Sequence, residues 1–357
     1  MNKVYVGTEK GLRILSERDD GWHVDRTVLG EFEISAVAKQ ANGKSLLVTT
    51  RQGGLFEVEP ETGSAQPIGA GVLPKGLRCV AISAADPDCI FVGSEPPSIF
   101  KSADGGKNWE ECRAVAELAQ KRNWRYHVPH LPPHIRQILI DRNNPQRVYA
   151  AVQIGGFLRS EDGGKTWEDV ADSLDPDVHA IAQDPDNPDV LFATTGSGGP
   201  IGGPHPPASP HGFPLYRSAD AGKNWEIISS TFGRRHGMAL HLSPTEGDTI
   251  ITSVGADTPA QWRRPEGANA VLMLSPDRGR TWRQVKGGLP QSFPLMIEAI
   301  DTETKPAGRT YFGIGGEGTK VLPPEQHMGA VYYADRLDGP WVKLPQDFPV
   351  VFTITAP

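Results

Sequence analysis

The chain has 357 residues, of which 38% are hydrophobic and 22% charged, and a net charge of −7 at pH 7. That acidic balance argues against a nucleic-acid partner, which would need a concentrated basic face, and no apolar stretch approaches membrane-spanning length. Three cysteines, Cys79, Cys89 and Cys112, make a poor disulfide framework, and the amino-terminal residues lack an apolar signal core, so a cytoplasmic protein is expected.

Along the chain, short β-rich runs alternate with turns, as 40 Gly and 32 Pro would suggest. A strand opens at Val4 and precedes the phrase Ser16-Glu-Arg-Asp19-Asp-Gly21-Trp22. Residues 45–50 and 54–58 supply strands of a second unit that lacks such a phrase. Strands at 88–93 and 98–101 then lead into Ser102-Ala-Asp104-Gly-Gly106-Lys-Asn-Trp109. A short helix is expected within 112–124, followed by a link rich in His and Arg, residues 122–136. Strands at 147–152 and 156–159 run into Ser160-Glu-Asp162-Gly-Gly164-Lys-Thr-Trp167. Those at 179–183, 189–194 and 215–217 surround a long Gly- and Pro-rich loop, 196–214, before Ser218-Ala-Asp220-Ala-Gly222-Lys-Asn-Trp225. A strand opening at Ile250, a loop over 255–270 and Ser275-Pro-Asp277-Arg-Gly279-Arg-Thr-Trp282 follow. The last unit has a strand at Tyr311, a loop over 313–329 containing Glu317, Lys320 and His327, and the weak phrase Asp335-Arg-Leu-Asp338-Gly339-Pro-Trp341. A strand at 350–354 is left over.

The four full phrases place Trp at 109, 167, 225 and 282, a fixed spacing that marks repeated supersecondary units. Four strands per unit, repeated, predict an all-β fold: a single seven-bladed β-propeller with four-stranded antiparallel blades. Seven openings (Val4, Leu46, Ile90, Val148, Leu191, Ile250 and Tyr311) set blades at roughly 1–33, 34–76, 77–133, 134–177, 178–233, 234–293 and 294–349, with 350–357 closing the first.

The phrase resembles the Asp-box, or bacterial neuraminidase repeat, of sialidase-like propellers, and its four copies match every defining position. The resemblance implies a hairpin between the third and fourth strands of a blade. It names no single function, because sialidases, xyloglucanases, sortilin-type receptors and a photosystem assembly factor share the repeat. A sialidase would carry three carboxylate-gripping arginines, a Tyr–Glu pair and a Phe/Tyr-Arg-Ile-Pro segment; this chain lacks that segment. Xyloglucanases of this class use two propellers. The recurring Asp104, Asp162, Asp220 and Asp277 read as scaffold, since a catalytic group is needed once.

Function is sought where the units differ. The loops 196–214, 255–270 and 313–329 and the link 122–136 all fall on one face. Aligning the units puts Arg78, Arg136 and His179 at one equivalent position at the start of the innermost strands, with Met238 there in the sixth unit and His236 close by; Glu298 lies in the innermost strand of the seventh. Three readings fit. A divalent transition metal (Zn, Mn or Fe) would be held by His134, His179 and His236. Alternatively, metal-free acid–base chemistry would use His179, His236 and Glu298, with Arg78, Arg136, Arg234, Arg235 and Trp262 binding the substrate. In the third reading the cluster is structural and the chain is a non-catalytic binding or assembly platform with a protein partner. The favoured expectation is a hydrolase or lyase acting on a small polar or anionic, sugar-derived substrate in the axial pocket, without nucleotide cofactor, nucleic acid or membrane.

Overall fold

A computed structural model describes residues 3–124, 132–170, 173–196, 212–244, 246–305, 308–316 and 328–357. They divide into two compact units, residues 1–34 with 231–357, and residues 35–230. Both are all-β and built from antiparallel sheets.

In the first unit, β1 (Lys3–Thr8), β2 (Gly11–Arg18) and β3 (Gly21–Val28) form a meander. The second unit begins with the sheet of β4 (Ile34–Lys39), β5 (Leu46–Thr50), β6 (Gly54–Val58) and β7 (Ala65–Ile68). Next comes the sheet of β8 (Leu77–Ile82), β9 (Ile90–Ser94), β10 (Ile99–Ser102) and β11 (Glu110–Glu111), after which the chain forms helix α1 (Arg113–Arg122). The helix stops at Asn123, whose left-handed backbone (φ 52°) lets its N–H reach the carbonyls of Ala119 and Gln120. The third sheet joins β12 (His134–Ile140), β13 (Val148–Gln153), β14 (Gly156–Ser160) and β15 (Glu168–Asp169). The fourth joins β16 (Val178–Gln183), β17 (Leu191–Thr195), β18 (Leu215–Ser218) and β19 (Glu226–Ile227).

Returning to the first unit, β20 (His236–Leu242), β21 (Ile250–Gly255), β22 (Val271–Ser275) and β23 (Arg283–Gln284) make another four-stranded sheet. The strands β24 (Met296–Thr302), β25 (Thr310–Gly315), β26 (Ala330–Ala334) and β27 (Val342–Lys343) repeat the pattern. Finally β28 (Val351–Thr355) pairs antiparallel with β1. One parallel bridge, Gly315 to Val351, joins β25 to β28, so these last strands and β1 to β3 count as one eight-stranded sheet.

The second strand of each four is buried along its whole length in β5, β9, β13, β17, β21 and β25. Such strands are covered on both faces, which is why they carry apolar residues and small buried Thr or Ser residues rather than a polar–apolar alternation. The cores accordingly lie between successive sheets. Within residues 35–230, Leu47 and Leu55 meet Val92 and Trp109, Phe91 and Val115 meet Ile135 and Trp167, and Tyr149 and Phe157 meet Ile181 and Trp225.

The repeated phrases all form the turn between the third and fourth strands. Ser102 Oγ donates to Asp104 Oδ1 (2.8 Å) and accepts the Gly106 N–H (2.9 Å), while Asp104 accepts the N–H groups of Lys107 and Asn108. Gly106 has φ +91°, a backbone that a side chain would strain. Trp109 donates its indole N–H to the Gly106 carbonyl (3.0 Å). The same bonds recur around Asp162, Asp220 and Asp277. Hydrogen bonds from the Asn108 backbone and side-chain amides hold the Asp104 carboxyl down to about 2. Each acid is thus saturated by its own turn, which fits a scaffold role.

Candidate functional site

Five innermost strands carry a register irregularity at the same place. The pairing of β8 with β9 skips Arg78, that of β12 with β13 skips Arg136, and that of β16 with β17 skips His179. In the other unit the pairing of β24 with β25 skips Glu298, and that of β20 with β21 shifts across Met238 and Ala239. A bulge leaves one residue unpaired and re-aims its side chain. Arg78, Arg136, His179 and Met238 are the positions that unit alignment made equivalent. A second row, two residues earlier, holds His134, Asp177 and His236, opposite Gln153, Gly196 and Gly255 on the second strands.

Within residues 35–230 the two rows meet in a buried polar cluster. Arg78 donates to His134 Nε2 at 2.6 Å, and its Nη1 lies 3.1 Å from Glu95 Oε2. That contact puts the His134 lone pair on Nε2 and its proton on Nδ1, which faces Glu95 Oε2 at 3.6 Å. Burial, followed by the charges of Arg78, Arg136 and Arg51, keeps the His134 imidazole well below its ordinary pKa, so it is neutral. Arg136 donates to Gln153 Oε1 at 3.1 Å, and Gln153 forms a backbone bridge with Asp177. Asp177 Oδ1 in turn lies 3.2 Å from His179 Nε2. Gly196 closes over this last pair: its N–H donates to the Asp177 carbonyl (2.8 Å), and a Cβ on it would fall 2.1 Å from Asp177 Oδ2.

In the unit of residues 1–34 and 231–357, the His236 ring packs edge-on against Trp262, with centroids 5.0 Å apart. Trp262 was expected as a substrate platform, but only 2% of it is exposed and its N–H is donated to the Asp257 carbonyl (2.9 Å). It is a wall behind His236 rather than a binding surface. Glu298 sits against Gly316. Arg235 is exposed, whereas Arg234 is half-buried and lines a separate cleft.

The expected metal set is divided between the two units, His134 and His179 in one and His236 in the other. No group of three His, Cys, Asp or Glu side chains suited to a cation occurs among the described residues. His134 Nε2 is turned to the Arg78 guanidinium. The loop residues His127, His130, Glu317, Lys320 and His327 lie outside the described residues. Sequence reading missed Glu95, Gln153, Asp177 and Gly196. A signal for Asp177 was present, because it stands two residues before His179 and so shares a strand face with it.

The Sortilin-Vps10 family (Sortilin, neurotensin receptor 3) matches residues 155–293, less than half of the chain. No curated protein matches the chain significantly in sequence. Among solved structures, the GH74 enzyme of Niastella koreensis aligns with a TM-score of 0.62 at 12% identity, over 87% of this chain and 45% of that one. The chain thus spans less than half the length of the GH74 enzymes it resembles. YCF48 bound to D1 peptide aligns with a TM-score of 0.56 at 16% identity, over 89% of this chain and 86% of that one. A 6-phosphogluconolactonase-like protein of Bacteroides fragilis aligns with a TM-score of 0.57 at 12% identity, over 99% and 97%. At these identities the likeness carries the fold and nothing more. The four-stranded sheets are those of a β-propeller fold.

Proposed function

We propose that the chain is a seven-bladed β-propeller of the Asp-box type whose 35–230 unit performs metal-independent acid–base chemistry, hydrolytic or eliminative, on a small anionic substrate. The blade number follows if the eight-stranded sheet is taken as two blades, β24 to β27 and β28 with β1 to β3, touching at the single Gly315–Val351 bridge. The observation that carries the chemistry is the Asp177–His179 contact at 3.2 Å. A carboxylate this close to the ring steadies the imidazolium formed when a proton is taken up. Arg136 and Arg78 supply guanidinium groups to hold a substrate carboxylate or phosphate. His236 and Glu298, at matching register positions of the other unit, are further acid–base candidates.

The test is turnover of a panel of uronic acid glycosides and sugar lactones, followed by new reducing ends or unsaturated-uronate absorbance for the glycosides and by proton release for the lactones. Asn at position 179 (His179→Asn) should lower turnover by at least a hundredfold, while Arg136→Gln should chiefly raise KM. Absence of turnover across the panel, or full activity in His179→Asn, removes the enzymatic reading and leaves a propeller that binds a partner.

A further inference from the structure

Arg234 is unlike the other arginines of its unit. It is half-buried, and burial alone pushes its pKa below the ordinary arginine value, with no carboxylate acting in the opposite sense. Its one recorded bond among the described residues goes from Nη1 to the backbone carbonyl of Asn269. A buried cation that lacks an anion is unfavourable unless a ligand supplies one. The guanidinium opens onto a cavity of about 560 Å³ that also presents Glu266, Asn269, Gln284, Gln291 and Ser292. That volume is typical of small-molecule sites.

The cavity is built on rigid backbone. Ala268 and Ala270 donate their N–H groups to the carbonyls of Pro294 and Phe293, both at 2.7 Å, and Ala270 and Phe293 form a bridge. Asn269 adopts a left-handed conformation (φ 46°) that turns its carbonyl to Arg234. The side chains of Glu266, Asn269, Gln291 and Ser292 carry no bond to other described residues, so amide, hydroxyl and carboxylate groups face the cavity with their hydrogen-bonding capacity unspent. One cation among several neutral donors and acceptors matches a ligand with one acid group and several hydroxyls.

We propose that this cleft binds a hydroxylated anion of sugar size, a sugar carboxylate or sugar phosphate whose acid group pairs with Arg234. The inference rests on residues 234–294 and stands independently of the Asp177–His179 reading. Calorimetric titration of the full chain with glucuronate, glucose 6-phosphate and glucose tests it. Saturable binding of one acid, at least tenfold tighter than glucose, is expected; which acid binds identifies the carboxylate or the phosphate as the natural group. Arg234→Gln should weaken it at least tenfold. That variant also loses the bond to Asn269, so Glu266→Gln serves as the second measurement: its side chain holds nothing in place, and removing the like charge should tighten binding about two- to fivefold. The proposal is overturned by equal affinity in wild type and Arg234→Gln, by a loss in Arg234→Gln without a gain in Glu266→Gln, or by glucose binding as tightly as the acids.

Discussion

The carboxylate of Asp177 and the imidazole of His179 face each other across 3.2 Å with only Val178 between them in the chain. The bulge at His179 and the close approach of Gly196 fix that geometry. A methyl group at position 196 would stand 2.1 Å from Asp177 Oδ2 and 2.6 Å from His179 Cε1. Gly196→Ala should therefore destabilise the fold by about 1–3 kcal/mol, the usual range for overpacking, and reduce any His179-dependent turnover more than ligand affinity. Denaturant melts and kinetics on the same variant check both parts; a neutral variant would show that the pair is loosely held.

His134 makes acid sensitivity a readout of the polar cluster. Its folded pKa is depressed, by burial first and then by Arg78, Arg136 and Arg51, with a hydrogen bond to the Pro132 backbone acting the other way. The unfolded chain protonates near 6.5 whereas the folded chain does not, so below that pH the unfolded state binds the extra proton. Stability should fall as pH drops from about 6.5, by up to about 1.4 kcal/mol per pH unit from this group. His241, also depressed by burial, adds in the same direction. His134→Gln should make the slope between pH 7 and 5 shallower by about one proton, as measured by urea unfolding at a series of pH values.

The octapeptide turns offer a test of scaffold against site. Ser160 is buried, accepts the Gly164 N–H at 2.9 Å and donates to Asp162 at 2.9 Å. Ser160→Ala leaves that N–H without its acceptor and should lower stability by about 1–3 kcal/mol. Ligand binding and turnover should remain as in wild type once the protein is folded, and a selective loss of activity would move these turns from scaffold to function.

Two glycines separate conformational strain from collision. Gly247 has φ +58° with open space where a side chain would go, whereas Gly267 has φ +60° and a Cβ there would lie 2.2 Å from the Pro294 carbonyl. Gly247→Ala should destabilise by about 1–2 kcal/mol, the left-handed penalty alone. Gly267→Ala must also displace backbone, so thermal unfolding should show the larger loss, together with weakened binding at the Arg234 cleft.

Much of the architecture was legible because apolar runs and turn residues recur at one period. The second strands announced themselves as short β-rich runs without polar alternation, and the short helix after Cys112 lies within the expected segment. Unit alignment put Arg78, Arg136 and His179 at one position, and the strand register is interrupted at each of them. What alignment could not show was the partner of each. Glu95 sits in a Pro-rich link whose course depends on packing, and His134 looked like a metal ligand because composition does not reveal that its Nε2 is turned to the Arg78 guanidinium. Trp262, flanked by Arg263 and Arg264, looked exposed for the same reason: burial of a loop aromatic is decided by neighbours distant in sequence.

The kink shared by β8, β12, β16, β20 and β24 accommodates arginine twice, then histidine, methionine and glutamate, the register skipping one residue in four of the strands and two in β20. The register is interrupted at that position and resumes beyond it, so the kink itself does not demand one type of side chain. One backbone device therefore lets cationic, basic, apolar or acidic groups be swapped singly, and a lineage built on it could change its ligand without rebuilding its framework.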